Sequence, residues 1–189
     1  MIRFLYRWSA VVFALGVFLV FAGCGEKSQP PVEEKPAGIG TDAETEKYNE
    51  ALKKDPNNLQ ALIGLANIYC QTNRDRDAIP HLEKALELDP FNPNVRTDLA
   101  VSLRRTGKHD RAINELKKVI SGNPRHYQSR YNLGVILIQD KKDVEGGIRA
   151  WEGILENIPD YPYRDQLKQE IERQRAASRR VLLEDKRLS

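Results

Sequence analysis

Few side chains in this 189-residue chain are of kinds that do chemistry, and their placement argues against most of it. His81, His109 and His126 fall on a helix, in a turn and in a loop between helices, with no metal-ligand spacing among them. Cys24 and Cys70 are the two thiols. Cys24 follows an N-terminal apolar run, and if that part is set aside Cys70 is left without a disulfide partner. No cation sits beside Cys70 to activate it, so it reads as a small, semi-buried apolar side chain on a helix. Gly146 and Gly147 open a helix but lack the flanking residues of a phosphate loop. Carboxylates are abundant on solvated faces, with no sign of a shared pocket. The chain is therefore expected to be no enzyme, and to carry no metal and no cofactor.

What remains is a pattern of apolar positions, and it is periodic. Leu65, Leu99 and Leu133 lie 34 residues apart, as do Ala66, Ala100 and Gly134, and Tyr69, Leu103 and Leu137. Ala78 and Ala112, Leu82 and Leu116, Ala85 and Val119, and Pro90 and Pro124 keep the same step. A repeat of this length marks a solenoid, in which one unit cannot bury its apolar face alone. Within residues 59–92, Leu62, Leu65, Ala66 and Tyr69 form one helical stripe, and Ala78, Leu82 and Ala85 form another. Asn58 and Asn92 suit helix N-caps, Asp75 or Asp77 suits the cap of the second helix, and Asn73 suits the turn. Residues 93–126 repeat the unit with Pro93 at a first helical position. Residues 127–161 form a third unit. There Gly147, Trp151, Ile154 and Pro159 follow their counterparts by 35, which predicts one extra residue in the turn between Gln139 and Gly146. Tyr48, Ala51 and Pro56 make residues 41–58 half a leading unit. Tyr163, Leu167 and Ile171 make residues 162–180 a one-sided capping helix, followed by a tail at 181–189.

The small residue in each first helix, the alanine early in the second and the closing proline resemble the tetratricopeptide repeat (TPR) family over residues 43–161. The family's aromatic near the start of the first helix is absent, because Leu62, Arg96 and Arg130 stand there. Pro80, a few residues into a helix, is also atypical. The resemblance implies an all-α fold, a short TPR solenoid with a C-terminal capping helix. It also implies that the first helices line a concave groove for a peptide or partner helix. The positions implied to face it are Ile63, Asn67 and Cys70, then Thr97, Val101 and Arg104, then Tyr131, Val135 and Ile138. Ile, Val and Tyr mixed with Asn and Arg suit an amphipathic or extended segment with polar anchors. Gln128 and Asn132 occupy the places of the basic residues with which some TPR domains clamp a carboxylate terminus, so that subgroup does not apply.

The front of the chain addresses it elsewhere. Arg3 and Arg7 precede an apolar run at residues 8–22, which is shorter than the roughly 20 residues of a comfortable membrane span. The run closes on Phe21, Ala22, Gly23 and Cys24, which resembles the lipobox of bacterial lipoproteins, with Phe21 where an aliphatic residue is usual. That resemblance implies cleavage after residue 23 and a lipid on Cys24. An uncleaved membrane anchor is the other reading. Residues 24–40, rich in Pro, Glu and Gly, read as a flexible linker. The formal charge is +3, and Arg3 and Arg7 supply two of those charges. The remainder is close to neutral and lacks the concentrated basic face of a nucleic-acid binder. The expectation is a protein-binding scaffold of the bacterial cell envelope, lipid-anchored and facing the periplasm, serving assembly of a pilus, secretin or outer-membrane complex. A membrane-anchored TPR subunit of cytochrome c maturation and a self-associating structural protein, a homo-oligomer, are the alternatives.

Overall fold

The computed structural model describes residues 42–188. The signal-like segment, Cys24 and the linker lie outside them. Among the described residues the chain is helical and has no strand. The helices are α1 (Asp42–Lys54), α2 (Leu59–Gln71), α3 (Asp75–Leu88), α4 (Pro93–Arg105), α5 (His109–Gly122), α6 (Tyr127–Val135), α7 (Val144–Asn157) and α8 (Arg164–Leu188). A π-helical turn, Ile136–Asp140, prolongs α6.

Local chemistry sets the helix ends. Asn58 Oδ1 accepts from the Ala61 N–H at 3.0 Å, and Asn92 Oδ1 from Val95 at 3.1 Å, each satisfying a first-turn donor. Such a cap contributes about 1 kcal/mol. Asp143 does the same for α7 through Gly146 at 2.8 Å. The turns inside the three units each pass through a left-handed residue: Asn73 (φ 56°), Gly107 (φ 80°) and Lys142 (φ 59°). The cap expected at Asp75 or Asp77 is not made. Arg74 occupies the N-cap of α3 with no side-chain hydrogen bond to the helix. Asp75 is the first helical residue instead, buried, with Arg105 Nη1 3.6 Å from its carboxylate. Pro80 is consequently a sixth, interior residue, and it denies the Arg76 carbonyl an i+4 donor.

The small residues mark where helices touch. Ala66, Ala78, Ala100 and Ala112 have no solvent exposure, and Leu65, Leu82, Leu103 and Leu116 fill the space around them. Tyr48 of α1 lies against Gly64 of α2, so the leading half-unit packs as the periodicity requires. Leu167 and Ile171 of α8 join Trp151, Ile154 and Ile158 in the second of two apolar clusters, covering the last unit. That helix runs on to Leu188, through the segment expected to be a tail.

The extra residue of the third unit is taken up inside the first helix and not in the turn. Ile136 keeps the 34-residue step from Ser102, but the C-caps run Thr72, Thr106 and Lys141. The Lys141 N–H donates to the Ile136 carbonyl, an i→i−5 bond where Thr106 reaches Ser102 by i→i−4. One inserted residue becomes one widened turn.

The third unit also departs at its small residue. Gly134 stands where the other units have Ala66 and Ala100, yet a Cβ there would lie 2.2 Å from Trp151 Nε1. Gly134→Ala, harmless by analogy with the other units, is expected to destabilise the protein by about 1–3 kcal/mol, because the indole has to move. Urea unfolding of the two proteins measures this.

Candidate binding groove

The first helices α2, α4 and α6 lie side by side, stitched by polar contacts between successive units. Cys70 Sγ meets Ser102 Oγ at 3.2 Å, and Arg105 Nη1 donates to the Cys70 carbonyl at 3.2 Å. Thr97 Oγ1 meets Ser129 Oγ at 2.8 Å. Arg104 reaches α6 with Nε donating to Asp140 Oδ2 at 2.6 Å and Nη2 to Gln139 Oε1 at 2.7 Å. Both acceptors sit on the π-helical turn, so the inserted residue shapes this contact. Behind this layer, Arg111 of α5 pairs with Glu83 of α3 at 2.8 Å.

Six of the nine positions implied for the groove are open to solvent, although Ile138 also packs against Gly147 of α7. Asn67 is exposed, and Ile63, Cys70, Val101, Arg104 and Ile138 are partly exposed. Thr97, Tyr131 and Val135 are buried. Thr97 is consumed by the contact with Ser129 and by donating to the Pro93 carbonyl at 2.7 Å. Tyr131 stacks on Trp151 with ring centroids 5.6 Å apart, and with Val135 it joins the cluster that includes Leu167 and Ile171 of α8. The capping helix thus closes part of the face that α6 would otherwise present.

The electrostatics of the face are uneven. Arg104 is held by Asp140, and Arg105 lies beside Asp75. Asp98, on α4 one turn before Ser102, is partly buried, and among the described residues no ion pair or hydrogen bond is made to it. Burial alone pushes its carboxyl up to about 6. Asp98 was not legible as a site residue, since only the packing of α2 against α4 leaves it half-enclosed and unpaired. Burial chiefly raises the Cys70 thiol, which keeps it protonated and unreactive. The histidines have structural places. His126 Nδ1 accepts from the Ser129 N–H at 3.4 Å at the start of α6, and burial lowers its pKa, favouring the neutral ring that this acceptor role requires. His81 lies against Tyr69 with centroids 5.6 Å apart, and His109 Nδ1 is 3.7 Å from Asp140 Oδ2.

Two family models, each described as tetratricopeptide repeat, match residues 45–97 and 97–162. No curated protein matches the sequence. Among solved structures, a crystal structure of MamA superposes with a TM-score of 0.60 at 22% identity, covering 75% of this chain and 90% of that one. MamA of AMB-1 gives 0.58 at 25% identity over 68% and 69%. MamA from residue 41 to its end, from Desulfovibrio magneticus RS-1, gives 0.58 at 17% over 60% and 64%. These likenesses concern the helical solenoid fold. With both repeat models joined end to end across its helical units, the chain belongs to the tetratricopeptide repeat family.

Proposed function

We propose that this protein is a scaffold tethered to the bacterial cell envelope, holding a peptide or helix of a partner protein across the inner face of α2, α4 and α6. The observation that carries the proposal is that face itself. Ile63 and Val101 offer apolar contact beside Asn67 and Arg104, from helices held in register by contacts between successive units. A few such anchors in a preformed groove bind an amphipathic segment without reorganisation of the protein. Phe21, Ala22, Gly23 and Cys24 support a lipid on Cys24 and a periplasmic location, with residues 24–40 as the tether.

Affinity capture from envelope extracts tests the groove. Val101→Asp and Arg104→Glu are expected to lose most of a partner that wild type retains, while Lys117→Glu on α5 keeps it. Full retention by both groove variants contradicts the proposal. Fatty-acid labelling tests the anchor: label should enter wild type and be absent from Cys24→Ser, and equal labelling contradicts it.

Self-association is a second reading with an observation of its own. Val181 and Leu183, near the end of α8, are 58% and 60% exposed, large apolar side chains on a charged helix. Light scattering should then give a dimer mass that Leu183→Glu lowers to a monomer; a monomer in wild type removes this reading.

A further inference from the structure

We propose that the segment bound in the groove presents a lysine or arginine side chain to Asp98. This deepens the groove reading and rests on it. Asp98 lies one turn before Ser102 on α4, and Ser102 meets Cys70 of α2, so the carboxylate sits on the edge of α4 facing α2. Neighbouring charges of the inner face have partners: Arg104 has Asp140 and Arg105 has Asp75. Asp98 has none among the described residues, so this part of α4 carries one uncompensated negative charge one turn from the partly exposed Val101.

That arrangement discriminates between occupants. An apolar segment laid over Asp98 would seal an unpaired carboxylate away from water, at a cost of several kcal/mol, and an acidic one would add repulsion. A cationic side chain replaces the lost hydration with a charge-assisted hydrogen bond. Lys and Arg also have stems long enough to lie along Val101 while the head reaches the carboxylate. The occupant is therefore an amphipathic segment with one basic residue in register with its apolar anchors.

The test is selection from a displayed library of random 12-residue peptides against the full-length chain in detergent micelles at pH 7.5. Peptides kept by wild type and lost by Val101→Asp are the groove binders. They should carry Lys or Arg at one fixed place relative to their apolar residues. In a resynthesised peptide, changing that residue to Gln should weaken binding to wild type about tenfold or more, and leave binding to Asp98→Asn nearly unchanged. Selection on Asp98→Lys should replace the basic residue with Asp or Glu. Groove binders without a basic position, or a Gln change equally costly on wild type and Asp98→Asn, overturn the Asp98 proposal while leaving the groove intact. Selected peptides all indifferent to Val101→Asp, or no selected peptides at all, overturn the groove reading and this proposal with it.

Discussion

Trp151→Ala is expected to remove about 3–5 kcal/mol of stability, a large share of the 5–15 kcal/mol that holds a typical protein folded. Trp151 is 3% exposed, donates from Nε1 to the Tyr131 carbonyl at 3.0 Å, stacks on the Tyr131 ring and lies against Gly134. It shares a cluster with Leu167 and Ile171, so truncation empties the space where α6, α7 and α8 converge. Repeat arrays hold each unit mainly through its neighbours, so the loss should be felt first at the C-terminal end. Hydrogen exchange should show α8 losing protection while α2 and α3 keep theirs. A variant that unfolds within about 1 kcal/mol of wild type, with α8 still protected, would show that the cap is held some other way.

Asp98→Asn is expected to stabilise the protein at pH 7.5 and to do little at pH 4. The carboxyl is raised from 3.8 to about 6 in the folded protein. The folded state therefore binds more protons than the unfolded state between those values, and stability falls as pH rises through that window. The penalty is fully present above about pH 6 and absent below about 4. A two-unit shift has an upper limit of about 3 kcal/mol, and partial exposure reduces this to the order of 1–2 kcal/mol. Of the nearby groups, Cys70 is a neutral thiol, and Asp75 and Arg105 oppose one another. Burial is the one cause of the shift at Asp98. Thermal unfolding of both proteins at the two pH values gives the comparison. An equal effect at pH 4 and 7.5 would mean the side chain acts through packing.

The periodic part of the fold was legible because burial repeats with the units. Leu65, Leu99 and Leu133 recur every 34 residues and are all buried, as are Ala66, Ala100 and Gly134. What was not legible involves departures from the repeat. A 35-residue step has the same sequence signature whether the extra residue enters a loop or a helix, and only the Lys141 to Ile136 hydrogen bond distinguishes them. Thr97 shares its place in the unit with Ile63, which stays partly exposed, but its hydroxyl meets Ser129 Oγ of the next unit and is buried there. Tyr131 and Val135 follow the groove spacing and are nonetheless buried in the cluster shared with α8, a helix outside the repeat. Asp98 lies one residue past the implied groove position Thr97, and its lack of a partner among the described residues is a property of the assembled helices.

The most direct test of the groove is photo-crosslinking in the cells that make the protein, with a benzoylphenylalanine placed singly at Asn67, Val101, Lys117 or Lys118. Asn67 and Val101 belong to the first-helix face, whereas Lys117 and Lys118 are exposed on α5. One discrete crosslinked species shared by Asn67 and Val101 and missing from Lys117 and Lys118 is expected. Crosslinks confined to Lys117 and Lys118, or none at Asn67 and Val101, would contradict the groove.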